Sequence, residues 1–385
     1  MTKLAVRTAG VALLLLLAAC SGPSLPGVPR SRTSPPPSAP AAPTPGSIEA
    51  FVPAAASFVE SHRGLRFKRQ IKVSHLSDAE FQQRIVALQR RDRAETDRQG
   101  KLFRALGLVD PGVDVEKAEE DLLGSGVVGY YDPKTKELMV RGDRATAAVR
   151  HVVVHELTHA LQDQWFSLDT DQGNQTEDQA LAYVSLVEGD AVRIEREYVA
   201  SLSTAERQQL DAGGGSGPPA SVPAVLTDLL AFPYVAGPPF ASAVVRAQGQ
   251  AALDKAFKER PAATSQVIEP DLFLGGEQPQ QVTEPPADGQ VLDRGVLGEA
   301  QLAVLLKDHL RSSGSRSDAN RVSRDWAGDR YVAWSDGGSY CIRVRYAARS
   351  QDGSAALSAA LQQLAGPSSG VQVQAGAEPV LTSCG

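Results

Sequence analysis

Val152-Val153-Val154-His155-Glu156-Leu157-Thr158-His159-Ala160-Leu161-Gln162-Asp163-Gln164 is the stretch around which the rest of the chain can be organised. It holds no Pro or Gly, and it lies inside a longer run, about Arg144 to Phe166, that predicts one long helix. Within it, His155-Glu156-Leu157-Thr158-His159 has the HExxH spacing. At about 100° per residue, positions four apart diverge by only about 40°, so both imidazoles leave one helix face and can reach a single tetrahedral ion at about 2.0–2.1 Å. Glu156 lies one step round the helix, beside the ion's open position, where a carboxylate can take a proton from water and return it to a leaving amine. With six His in 385 residues, chance predicts on the order of 0.006 such matches in a chain of this composition.

A hydrolytic zinc site takes three protein ligands and keeps one position open. Glu188, in Leu186-Val187-Glu188-Gly189-Asp190-Ala191, falls on the next predicted helix, about Glu177 to Val199, on the side shared by Leu181, Val184 and Ala191. A carboxylate on an apolar face needs a partner there. Glu188 is the expected third ligand, with Glu177, Asp190 or a further His or Asp as alternatives. His151 stands one turn before His155, but it would lie about 12 Å from His159 along the axis, too far for one ion. It is expected to pack beside the site. Ligating imidazoles usually pass their other N–H to a carboxylate or carbonyl, and Asp163 and Asp190 are the candidates for that role.

The amino terminus reads as an address. Lys3 and Arg7 precede an apolar run, Val11 to Ala19, too short for the roughly 20 residues that span a bilayer. Leu17-Ala18-Ala19-Cys20 resembles the bacterial lipobox, which implies a signal peptide over 1–19, lipidation of Cys20 and an extracytoplasmic, membrane-anchored protein. Residues 20–47 are rich in Pro, Ser and Ala and are expected to form an extended tether. Cys341 and Cys384 are then an even pair in an oxidising compartment and are expected to form a disulfide.

Beyond the tether, alternation from Leu65 to Val73 predicts a strand, and Ser77-Asp78-Ala79-Glu80 is a capping box opening a helix to about Arg98. Val127 to Tyr131 and Glu137 to Val140, joined through Asp132-Pro133, predict a β-hairpin. Separate helices are expected at Val222 to Leu230 and Pro239 to Gln248. The Pro/Gly/Gln-rich stretch from Gly275 to Gly289 is a candidate boundary, followed by strands near Arg330 to Trp334 and Tyr340 to Tyr346 around Gly337-Gly338. With 42% hydrophobic and 22% charged residues the chain is globular, and 39 Lys plus Arg against 45 Asp plus Glu argue against a nucleic-acid partner. No phosphate-cradling loop and no Gly-x-Ser-x-Gly elbow is present.

Taken together, HExxH and a glutamate on the following helix resemble the gluzincin class of zinc metallopeptidases. Several segments resemble a group of bacterial extracytoplasmic candidate zinc peptidases. They are Val128-Gly129-Tyr130-Tyr131-Asp132-Pro133, His155 through Gln164, Leu186 through Ala191, Pro233-Tyr234-Val235-Ala236-Gly237 and Trp326-Ala327-Gly328-Asp329-Arg330-Tyr331. The resemblance covers about residues 65–346. It implies an α+β fold with a zincin-like core over 48–275, made of a small mixed sheet, an active-site helix and a helical subdomain. A small C-terminal α/β extension over 276–385 would follow. It also implies one Zn²⁺ per chain on His155, His159 and Glu188, Glu156 as general base, and a peptide or protein substrate. The Glu137 to Val140 strand would offer its edge to an extended peptide, and Tyr234 would stabilise the transition state. The chain departs from the gluzincin Glu-x-x-x-Asp pattern, since Val192 stands four after Glu188. The competing expectation is a non-catalytic envelope lipoprotein that keeps zinc for structure, and hydrolysis of an ester or cell-wall amide is a third.

Overall fold

The computed structural model describes residues 46–89, 93–124, 127–169, 175–212, 221–309, 316–365 and 370–385. The expected signal peptide, Cys20, the expected tether up to residue 45 and the expected loop over 213–219 lie outside them. Helix α1 (Ile48–Arg63) starts where the Ser47 side chain accepts the Ala50 N–H, and it closes at Gly64, whose φ of 75° suits glycine. Strand β1 is confined to Lys72–Leu76, which corrects the longer strand expected from Leu65. The alternation there reflects burial: Leu65, Phe67 and Ile71 pack on the core around Ile48 and Leu157. The Lys68 and Arg69 N–H groups donate to Gln164 Oε1 instead of to a ladder.

The capping box holds, with the Ser77 N–H donating to Glu80 and the Glu80 N–H to Ser77 Oγ. It opens α2 (Asp78–Gln89); α3 (Arg93–Ala105) and α4 (Val115–Gly124) follow. The hairpin forms from β2 (Gly129–Asp132) and β3 (Glu137–Arg141), antiparallel, with Tyr131 opposite Leu138. β1 joins β3 in parallel, so the sheet order is β1-β3-β2. The strand from Glu137 is therefore central, correcting the expectation that it offers a free edge; β1 and β2 are the edges, and β2 is the one beside α5.

Helix α5 (Ala147–Phe166) carries HExxH and is capped by Thr146. Helix α6 (Glu177–Ser201) opens with a reciprocal capping box between Thr176 and Gln179. Then come α7 (Thr204–Ala212), α8 (Ala224–Gln248), α9 (Gln250–Glu259), α10 (Thr264–Ile268) and α11 (Pro270–Leu274). Two helices were expected where α8 runs unbroken through Pro233, Pro238 and Pro239. Each interior Pro forfeits a backbone hydrogen bond, but Pro233, Gly237, Pro238 and Phe240 are buried, and that packing outweighs the local preference. A Cβ at Gly237 would lie 2.1 Å from the Ser185 carbonyl oxygen, and one at Gly189 would lie 2.3 Å from the Gly237 backbone. Backbone meets backbone where α6 crosses α8, next to Glu188.

The remaining elements are β4 (Gln290–Gly295), α12 (Gly298–His309), α13 (Arg316–Ser323), β5 (Trp326–Asp336), β6 (Ser339–Ala348), α14 (Gln351–Gln362), β7 (Gln372–Gln374) and β8 (Val380–Cys384). They build a second sheet of order β4-β5-β6-β8-β7. Gly337 and Gly338, both at positive φ, make the β5–β6 turn. Cys341 and Cys384 face each other across β6 and β8 and are bridged, 43 residues apart in sequence. One apolar cluster joins Leu102, Phe103 and Val225 to Trp326, Ile342 and Leu361. Two more surround α5 and α6. The architecture is α+β.

Candidate metal centre

Helices α5 and α6 bring His155, His159 and Glu188 together as one buried group able to hold a metal ion. His155 Nε2 lies 2.9 Å from His159 Nε2 and 3.2 Å from Glu188 Oε2, and His159 Nε2 lies 3.5 Å from the same oxygen. Ligands of a tetrahedral ion at about 2.0–2.1 Å are spaced about 3.3 Å apart, and these separations bracket that value.

The hydrogen bonds around the group show what it lacks. His155 Nδ1 donates to Glu195 Oε2 at 3.0 Å. His159 Nδ1 donates to Gln162 Oε1 at 2.9 Å. The Gln162 amide is oriented by its own NH₂, which donates to the Val187 carbonyl and to Asp190. With both outer nitrogens acting as donors, each ring in its neutral form turns a bare Nε2 inward. In that form two lone pairs and a carboxylate oxygen converge, and Glu188 Oε1 is buried without a hydrogen-bond partner.

In the metal-free protein a proton answers part of that demand. Burial disfavours charge on His155, but Glu188 and Glu195 outweigh it and push the imidazole up to about 10. Burial likewise opposes a charged Glu188, yet His159 and His155 hold it at about 2. A dication would meet the same demand at the centre of the group. The residues present therefore fit a metal ion.

Glu156 is buried and not part of the trio. Its Oε2 accepts the Tyr131 backbone N–H at 2.8 Å, and its Oε1 is buried without a partner. Burial raises its pKa, His155 and His159 pull it down, and Glu188 adds to the rise. β2 lies directly on α5 here: a Cβ at Gly129 would come within 2.9 Å of Val152.

The other expected residues take definite places. His151 is half-buried, and its Nδ1 donates to the second oxygen of Glu195 at 2.8 Å. Asp190 touches Gln162 and ion-pairs with Arg63 and Arg193. Asp163 faces the hairpin, accepting from the Tyr131 hydroxyl and the Lys136 ammonium and from the Leu168 N–H. Tyr234 is half-buried on α8, three residues before Gly237. Sequence reasoning missed Glu195 and Gln162. The available signal was helical spacing: Glu195 lies two turns beyond Glu188, and Gln162 one turn beyond His159.

No protein-family model matches this chain, and neither the curated proteins nor the solved structures include a significant match.

Proposed function

We propose that this protein is a zinc-dependent peptidase with a zincin-like core, lipid-anchored through Cys20 on the outer side of the cytoplasmic membrane. The observation that carries the reading is the buried, converging trio of His155, His159 and Glu188 beside a buried carboxylate, Glu156, whose Oε1 has no hydrogen-bond partner. A zinc ion supplies Lewis acidity, polarising a carbonyl and making water acidic near neutral pH. His155, His159 and Glu188 would hold it. Glu156 acts as the general base: its burial raises its proton affinity, and the Tyr131 N–H holds one oxygen while Oε1 is left unbonded. A structural zinc site has no use for such a group, and burying a carboxylate with one oxygen unbonded is costly. β2, the edge strand beside Glu156, is the element to which an extended peptide would add.

A second reading, a non-catalytic zinc lipoprotein, is favoured by one observation: His155, Glu156 and His159 are all at 0% exposure, as in closed structural sites. Zinc content per chain and cleavage of casein or mixed peptides separate the two when measured on wild type, Glu156→Gln and Glu188→Ala. The peptidase reading expects about one zinc in wild type, zinc retained and cleavage lost in Glu156→Gln, and zinc depleted in Glu188→Ala. Zinc without cleavage by wild type selects the second reading; absent zinc rejects both.

A further inference from the structure

Arg63 ends α1 far in sequence from the metal centre, yet it is fully buried. Its Nε donates to Asp190 Oδ2 at 2.6 Å, and its Nη1 is 2.7 Å from Asp254. The guanidinium rests against the stacked pair of Phe166 and Phe257, 5.8 Å from each ring centre. The Asp190 oxygen that takes Arg63 also takes the Gln162 NH₂ at 3.1 Å. The Gln162 carbonyl oxygen in turn takes Nδ1–H of His159. Four side chains from α1, α5 and α6 thus form one continuous line ending on a metal-site imidazole.

An apolar pair of similar size commonly stabilises a fold as well as a buried ion pair does, so packing alone does not explain Arg63 and Asp190. Their arrangement has a specific consequence. A carboxylate and a carbonyl accept only, so Asp190 together with the Val187 carbonyl makes Gln162 turn its NH₂ to them and its oxygen to His159. That oxygen forces the proton onto Nδ1 and leaves Nε2 bare. Arg63 holds that Asp190 oxygen in place from the other side, while Arg193 holds its second oxygen.

We infer that Arg63, Asp190 and Gln162 are positioning residues that select the tautomer and ring angle of His159 for metal binding. This rests on the metal site proposed above.

The test is a double-mutant cycle on the full-length protein, with zinc affinity from chelator competition and the visible spectrum of the Co²⁺-substituted form. Far-UV circular dichroism of each metal-free variant checks folding. Gln162→Leu is expected to weaken zinc binding 10- to 100-fold, the usual cost of losing a partner behind a ligand, and to shift the Co²⁺ bands. Asp190→Asn is expected to weaken binding several-fold in the wild-type background and to have no further effect in the Gln162→Leu background, because Asp190 reaches His159 only through Gln162. Additive losses, or Gln162→Leu binding zinc within twofold of wild type with an unchanged spectrum, overturn the inference while leaving the metal site intact. If Gln162→Leu does not fold, Arg63→Lys takes its place: it keeps the charge but loses the Nε contact, so a several-fold loss supports the line and unchanged affinity overturns it. Failure of wild type to bind zinc overturns the metal site and this inference together.

Discussion

Glu195 Oε2 lies 3.0 Å from His155 Nδ1, across the ring from the nitrogen that faces Glu188. The same carboxylate holds His151 through its other oxygen. Burial opposes its charge, but the two imidazoles hold its pKa at about 2. Glu195 thereby stands behind His155 from two turns beyond Glu188 on α6.

Replacing Glu195 with Gln keeps the shape and removes the charge that makes Nδ1 a firm donor. Zinc affinity should fall about 10-fold and Glu195→Ala should approach 100-fold, both measured by chelator competition. Affinity unchanged in both variants would show that the contact does not orient His155.

Metal removal should lower stability. An ion bound only by the folded state adds about 4 kcal/mol when its free concentration is 1,000 times Kd. Calorimetric scans with and without a chelator should therefore differ in Tm by many degrees, and Glu188→Ala should melt like the chelated wild type. Coincident wild-type scans would refute a resident ion.

Gly237→Ala places a Cβ 2.1 Å from the Ser185 carbonyl oxygen. Neither backbone can yield without moving α6, so the substitution should cost more than about 2 kcal/mol, by analogy with overpacked cores, and should weaken zinc binding through Glu188. Denaturant unfolding and zinc titration check the two effects; an unperturbed variant would mean that α6 and α8 are not in backbone contact.

Asp178 gives a pH signature away from the metal. Burial raises its pKa to about 7; the Thr264 hydrogen bonds oppose this, and Asp329 and Glu177 add to it. A raised carboxyl pKa means that the folded state binds the extra proton. Its contribution is therefore complete below about pH 4 and is lost as pH rises toward 7. Asp178→Asn removes that loss, so between pH 5 and 8 the variant should gain roughly 2 to 4 kcal/mol relative to wild type. Parallel stability–pH curves would show that Asp178 does not titrate in this range.

The Cys341–Cys384 bridge closes 43 residues. Chain entropy assigns such a loop about 4 kcal/mol, so Cys384→Ser should lower the denaturation midpoint accordingly. Wild type in reductant should match it.

The HExxH residues were legible because their geometry is local: one helix periodicity places His155 and His159 on one face whatever surrounds them. The same holds for the Ser77 capping box and the hairpin from Gly129 to Arg141, whose signals lie within a few residues. Glu188 was legible more weakly, from a charge on an apolar helix face. Glu195 and Gln162 were not, because a polar residue at a helical position looks the same whether it meets solvent or an imidazole on the next helix. Strand order was hidden for a similar reason: β1 and β3 pair in parallel over some sixty intervening residues, and no local pattern reports that pairing.

The sequence by itself thus determined a long helix that carries two candidate metal ligands and a general-base candidate, since helix periodicity and capping depend on near neighbours. Only the tertiary structure decided which carboxylate and which amide stand behind each imidazole. It also decided that β2 is the edge facing Glu156 and that α8 crosses α6 through its prolines. Those outcomes depend on packing and hydrogen bonding between elements distant in the chain, where burial free energy overrides the preferences of any single segment.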